Sequence, residues 1–359
     1  MEERKRKKLH PLVLLVLVLV TLMVTLCAIV VGLWLHGRSE MNRETQAPSL
    51  PRQPVVSAPE EPEEDEPRGD FVEYNGTRYR YNDQMRNFLL LGIDSDELPD
   101  EAQGSHDQAD VLVLAALDMA AGTMTLINLD RDTICLMEQI YPDGSIRLSE
   151  TQLALAYAFG DGRHKSCELT RDAVSNIFYG LPIHGYAAYY MQGIGDLNDA
   201  VGGVTVKILG DYPFHFMGAA YDRMREGNTV TLNSKQAIAY IRCRLETQTD
   251  ANELRMKRQK QYMLALIQKV KDQLISNPAS VLTLYNAVDE YILTDMDLGQ
   301  ISYLATRAAT LDFSGDLRKL VTERKLGDDG LVEQYVDQTA LYELMLDVFY
   351  TPVTQEENN

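Results

Sequence analysis

Apolar and polar positions divide the chain into three stretches of different character. From Pro11 to Leu35 run 25 residues without a formal charge, most of them Leu and Val. A helix of that length rises roughly 37 Å against about 30 Å of bilayer hydrocarbon, so it can span with some tilt. A cleaved signal peptide has a shorter apolar region that ends in a small-residue site, and Gly32-Leu-Trp-Leu-His36 offers a poor one. Residues 36–70 carry Pro48, Pro51, Pro54, Pro59, Pro62 and Pro67, with Glu60, Glu61, Glu63, Glu64, Asp65 and Glu66 among them. Missing backbone donors and like-charge repulsion argue there for a stiff, extended linker. The third stretch, 71–352, is long enough to bury a sizeable core, and 353–359 is a short polar tail.

Within the third stretch, short apolar runs alternate with helical periods. Phe88–Ile93 and Val111–Leu117 read as buried strands, and Ala120-Ala-Gly122 folds the second run back onto Thr123–Asn128 as a hairpin. Thr151–Phe159, Leu169–Phe178 and Ser234–Arg242 read as helices, and Gly202–Ile208 as a strand after a glycine turn. The clearest helix is Glu253–Ile275, where Met263, Ile267, Val270 and Leu274 recur at helical spacing. The class is mixed α/β.

Charge sharpens this division. The chain has 34 Lys and Arg against 53 Asp and Glu, a net −19. Arg4 to Lys8 stand directly before the apolar run, so the positive-inside rule puts residues 1–10 in the cytoplasm and the main domain outside. So acidic a chain argues against nucleic acid as a partner, since that binding relies on cations displacing counterions from phosphates. Cys27, Cys135, Cys167 and Cys243 are too few and too scattered for a disulfide scaffold or a CxxC metal site.

The sequence lacks HExxH, GxSxG and GxxxxGK, the central residues of zinc peptidases, α/β-hydrolases and P-loop proteins. Two charged constellations remain. Asp94 follows one predicted strand, Asp110 opens the next, and Arg131-Asp132 closes a third. Carboxylates and an arginine gathered at strand ends suit Mg²⁺ holding a phosphate, although polar strand ends are also ordinary turns. Arg242 and Arg244 end a helix, and Arg255, Arg258 and Gln259 follow at i, i+3 and i+4. Guanidinium forks match a diphosphate, while a solvated face paired with Glu246, Asp250 and Glu253 is the alternative. Asn75-Gly-Thr77 reads as a turn, Cys243 as a small filler, and His106 as a loop histidine.

Taken in order, Phe88–Asp94, Gln108-Ala-Asp110, Asn128–Thr133, Ala156–Gly160, Asp199–Val204, Tyr240–Arg244 and Arg255–Gln259 resemble the LytR-CpsA-Psr family of bacterial cell-envelope proteins. The resemblance covers about Phe88 to Lys271, and the preceding anchor fits it. It implies a three-layer α/β/α fold with a central mixed sheet and a tunnel for a polyprenyl chain. It further implies transfer of a glycopolymer from a polyprenyl diphosphate to peptidoglycan, a Mg²⁺-assisted phosphoryl transfer. By that resemblance Asp94 and Asp110 hold Mg²⁺. Arg131, Arg242, Arg244, Arg255 and Arg258 are the catalytic, diphosphate-binding arginines, with Gln259 beside them. The chain departs from the family pattern at Gln108, Gln152 and Asn252, where Arg, Lys and Asp are common. These departures keep open a non-catalytic binder of polyprenyl-diphosphate glycans or peptidoglycan. A transcriptional attenuator is a third reading, disfavoured by the outside topology.

Overall fold

The computed structural model describes residues 31–43, 46–51, 71–95, 107–141, 144–210, 214, 217–243, 251–327 and 330–353. Residues 1–30, which hold most of the apolar run and the basic tail, lie outside the described residues, as do His106 and Arg244. Among the described residues no helix is long and apolar enough to cross a membrane.

Residues 31–41 are the described part of helix α1. Strands β1 (Phe71–Tyr74) and β2 (Thr77–Tyr81) form a hairpin. Its two-residue turn has Asn75 at φ 51° and Gly76 at φ 76°, the left-handed pair that matches strand twist, so Asn75-Gly-Thr77 holds the expected turn. Then come β3 (Met85–Ile93), β4 (Ala109–Asp118), β5 (Thr123–Leu129), β6 (Ile134–Ile140) and β7 (Ile146–Gln152). Helices α2 (Leu155–Ala158) and α3 (His164–Ile177) lead to β8 (Gly185–Tyr190) and α4 (Ile194–Ala200). Next are β9 (Val204–Lys207), β10 (Thr229–Leu232), α5 (Ser234–Arg242), α6 (Ala251–Ser276) and α7 (Ser280–Asn286). The chain continues through β11 (Ile292–Thr294), α8 (Leu298–Thr310), β12 (Asp312–Lys319), β13 (Thr322–Leu326), β14 (Val332–Val336), α9 (Gln338–Phe349) and β15 (Tyr350–Pro352).

Six strands build the central mixed sheet in the order β11-β8-β3-β4-β5-β12. β3, β4 and β5 are successive antiparallel neighbours, whereas β8 and β12 join in parallel after helical crossovers. Side chains alternate across the pleat, so each face meets its own helices. Leu89, Leu91, Leu112, Leu114 and Ile127 pack with α2, α3 and α9 through Tyr157, Val174 and Met345. Phe88, Val113, Ala115 and Leu126 pack instead with Met41 of α1, Ile267 of α6 and Tyr303 of α8. This sandwich is the expected α/β/α arrangement around a mixed sheet.

Two local expectations are corrected. Thr151 and Gln152 belong to β7, paired with Cys135 and Ile134, so the helix expected over 151–159 shrinks to Leu155–Ala158. Strand pairing captures residues whose apolar spacing also suited a helix. The segment read as a linker from residue 36 begins attached to the domain. α1 runs to Met41, which is buried, and Leu50 is buried in the main core, because apolar side chains in this stretch find a surface to cover despite the prolines.

His184 ties β8 to β3 by accepting the Asn87 N–H at Nδ1, 3.0 Å away. Burial, and then the Arg86 charge, press its pKa from 6.5 down to about 4. The folded state therefore takes up this proton less readily than the unfolded chain. Its stabilising contribution is complete above pH 6.5 and is lost as pH falls toward 4, by about 3 kcal/mol in all. Urea midpoints should thus drop between pH 7 and pH 4.5 by more than in His184→Gln. Equal drops in the two proteins would refute the assignment.

Candidate active site

A cleft at the Asp94 end of the sheet is lined by Asp94, Asp110, Val111, Arg131, Met191, Arg242, Arg255 and Gln259, and its accessible volume is about 320 Å³. Six of the eight residues singled out from the sequence meet there. The sheet supplies the acidic wall. Asp94 stands just past β3, and Asp110 lies at a bulge: Gly92 pairs with Val111 but Ile93 pairs with Ala109, which leaves Asp110 as the extra residue. Neighbours on a regular strand point to opposite faces, whereas at this bulge Asp110 and Val111 both line the cleft. Arg131 stands two residues beyond β5.

The helices supply the basic wall. Asn233 caps α5, with Gln236 returning the bond in a capping box, and the helix ends at Arg242. Arg255 and Gln259 are one turn apart on α6, and Gln259 Nε2 donates to Ile241 O at 3.1 Å, tying α6 to the end of α5.

Each carboxylate pairs with a guanidinium. Arg242 Nη2 lies 3.1 Å from Asp94 Oδ1, and Arg131 forms an ion pair with Asp110. Arg131 also donates to Gln108 Oε1 and sits 3.6 Å from Asp132. Thus Gln108, standing where the family commonly has Arg, accepts a bond from Arg131. Burial and the neighbouring Asp130 charge push the Asp132 carboxyl upward. Gln152 donates to Asp132 Oδ1 at 3.5 Å and to Val332 O at 2.7 Å, which places it behind the cleft wall.

Arg258 stands apart from the cleft lining. Only 1% exposed, it lies against the rings of Phe214 and Tyr240 and donates to Cys243 O. On a helix, residues 255 and 258 differ by about −60° and residues 255 and 259 by about +40°. The cleft receives the second pair, and the aromatic core takes Arg258. Cys135, Cys167 and Cys243 are all free, and burial raises the thiol pKa of Cys243, consistent with a filler.

Exposed apolar side chains of the sheet adjoin the cleft. Leu90 and Val111, in the two central strands, are 39% and 36% exposed on the face that also carries Phe88 and Val113. Spacing did not reveal this, because a continuous apolar strand looks the same whether or not a helix covers it. Nor did it reveal Met191, whose place in the wall depends on β8 lying beside β3.

A mixed sheet between helical layers, with carboxylates and guanidiniums gathered at one strand end, defines an α/β domain with a charged cleft. The chain belongs to the LytR-CpsA-Psr family, whose profile matches residues 54–343. It is 28% identical over 265 residues to the polyisoprenyl-teichoic acid–peptidoglycan teichoic acid transferase TagU of Enterococcus faecalis, covering 72% of this chain and 77% of that protein. Other TagU proteins align over 51% to 65% of their own length. In fold it is similar to a protein of Streptococcus agalactiae (TM-score 0.59, 21% identity, 77% of this chain and 94% of that one). It is also similar to TagT bound to LI-WTA (TM-score 0.53, 19% identity, 74% and 89%).

Proposed function

We propose that this chain is a membrane-anchored glycopolymer transferase. It moves a glycan from a polyprenyl diphosphate onto a peptidoglycan hydroxyl, outside the cell membrane. The observation that carries this reading is the charged cleft adjoining the exposed apolar side chains of Leu90 and Val111: a diphosphate needs the first and a prenyl chain the second. Family membership and the name of the E. faecalis relative support the same chemistry.

In the reaction the acceptor oxygen bonds to the phosphorus that bears the glycan. The bond from that phosphorus to the oxygen bridging to the lipid phosphate breaks. The proton of the acceptor hydroxyl passes to solvent water, and polyprenyl phosphate leaves. Arg131, Arg242 and Arg255, with Gln259, hold the diphosphate and neutralise charge as the leaving oxygen gains it. Asp94 and Asp110 are two hard oxygen ligands at one cleft, a set that suits Mg²⁺ completed by substrate phosphate and water. Among the described residues no group of three or more His, Cys, Asp or Glu could hold a metal, so such an ion would depend on the substrate for its remaining ligands. Mg²⁺ there would supply further charge neutralisation.

Asp94→Asn and Asp110→Asn should each weaken Mg²⁺ uptake in the presence of a prenyl diphosphate while leaving the melting temperature nearly unchanged. Calorimetric titration checks this, and equal Mg²⁺ affinity in all three proteins would remove the metal from the proposal. For the function itself, the full chain is given a lipid-linked oligosaccharide and a peptidoglycan acceptor, and polyprenyl phosphate is measured. Release supports transfer. Tight binding without release supports the binder, a reading favoured by Gln108 occupying a family arginine position beside Arg131.

A further inference from the structure

The end of the predicted membrane span is built into the domain. Gly37 and Gly299 touch where α1 crosses the first turn of α8: a Cβ on Gly37 would lie 2.2 Å from Gly299 O, and one on Gly299 would lie 2.5 Å from Leu33 O. Only hydrogen at both positions permits so close a backbone approach. One turn along, Trp34 packs edge-on against Tyr303 with ring centroids 5.3 Å apart, and its Nε1 donates to Thr306 Oγ1 at 3.2 Å. His36 lies 3.4 Å from Asp297.

The other end of α1 is held from beneath. Helix C-termini leave carbonyls unsatisfied, and Arg86, buried in β3, donates to Met41 O and to Arg43 O. Met41 itself is part of the core between the sheet and α8. Further on, Ser49 N donates to Tyr179 O at 2.8 Å and Leu50 is buried, so the chain is already on the domain before residue 52. The Pro- and Glu-rich segment 52–70 therefore begins and ends on the domain, since β1 follows it. It does not separate the domain from α1.

At the start of its described part α1 exposes Val31, Leu33 and Leu35, which continue the uncharged run from Pro11. Lipid is the occupant that continuity selects. We propose that the seam between α1 and α8 is a rigid mount that fixes the domain's position on the bilayer, so that segment 52–70 does not set its distance from the lipid. This rests on reading 11–35 as a membrane span. The mount joins the domain at Arg86, and the cleft opens at Asp94 of the same strand, roughly 26 Å further along. A rigid mount therefore presents the cleft at one height and tilt to a lipid-borne substrate, where a flexible tether would present many.

The test uses the full chain in lipid nanodiscs, with a donor fluorophore on Ala121→Cys in the exposed β4–β5 turn and acceptor lipids in the bilayer. Cys27 and Cys243 are replaced by Ser, and Cys135 and Cys167 are buried. Inserting about twenty Gly and Ser residues within 52–70 lengthens a flexible tether by roughly 25 Å. With the mount in place, energy transfer should match that of the chain without the insertion. Gly37→Leu should lower and broaden transfer, and should make it sensitive to the insertion. Gly299→Leu is the second variant, read the same way. A fall in transfer caused by the insertion alone, or no change with either leucine, would overturn the mount. Failure of the chain to enter nanodiscs would instead overturn the membrane-span reading.

Discussion

Arg131→Ala is expected to lower prenyl-diphosphate affinity by one to two decades and transfer by about a hundredfold or more. The side chain reaches the cleft from the end of β5 and pairs there with Asp110. A charge-assisted hydrogen bond to the diphosphate is worth about 1.5–3 kcal/mol, which converts to the affinity loss. Charge that develops only as the bond to the lipid phosphate breaks adds a further loss in rate. Arg131→Lys should recover part of the binding and less of the turnover, because an ammonium restores charge without the planar fork. The ion pair is partly solvated, so thermal stability should change by no more than about 1 kcal/mol. Calorimetry and a polyprenyl-phosphate release assay measure the two effects. Wild-type turnover in Arg131→Ala would remove this residue from the chemistry.

Asn198→Leu should cost about 4 kcal/mol of folding stability, the largest stability effect anticipated here. The residue is fully buried near the end of α4, and its one amide ties that helix to three other elements. Nδ2 donates to Leu232 O of β10 at 2.8 Å, while Oδ1 accepts from Val204 N of β9 and from the Tyr262 hydroxyl of α6, each at 3.1 Å. Leucine has similar volume but leaves a carbonyl, an amide and a phenol buried without partners, each worth roughly 1–3 kcal/mol. β9, β10 and α4 support α5 and α6, so the variant should also loosen the arginine wall and weaken diphosphate binding. Chemical denaturation of variant and wild type tests this. A difference below about 1 kcal/mol would show that water or rearrangement satisfies those groups.

Asn198 also shows what a linear reading misses. In the sequence it belongs to none of the motifs singled out and carries no signal of its own. Its importance comes from partners 6, 34 and 64 residues away. Arg258 makes the converse point: placed with Arg255 and Gln259 by spacing, it turns into an aromatic core because Phe214 and Tyr240 happen to stand on that side. The hairpin β13–β14 and the pairing of β6 with β7 were likewise not anticipated, since charged and polar residues interrupt the apolar positions of their strands.

By itself the sequence determined the features that local chemistry controls. The uncharged run and its basic flank, the central strands β3 to β5, helices α5 and α6, and the identity of most cleft residues all follow from periodicity, capping and the placing of charge at element ends. Only the tertiary structure decided how those pieces meet. It turned Asp110 and Val111 toward one cleft through a bulge, drew Arg258 away from it, left Leu90 and Val111 uncovered, and seated α1 on α8 through two glycines. Such outcomes depend on close packing between segments far apart in the chain, where a shift of an ångström decides which side chain faces a ligand and which faces the core.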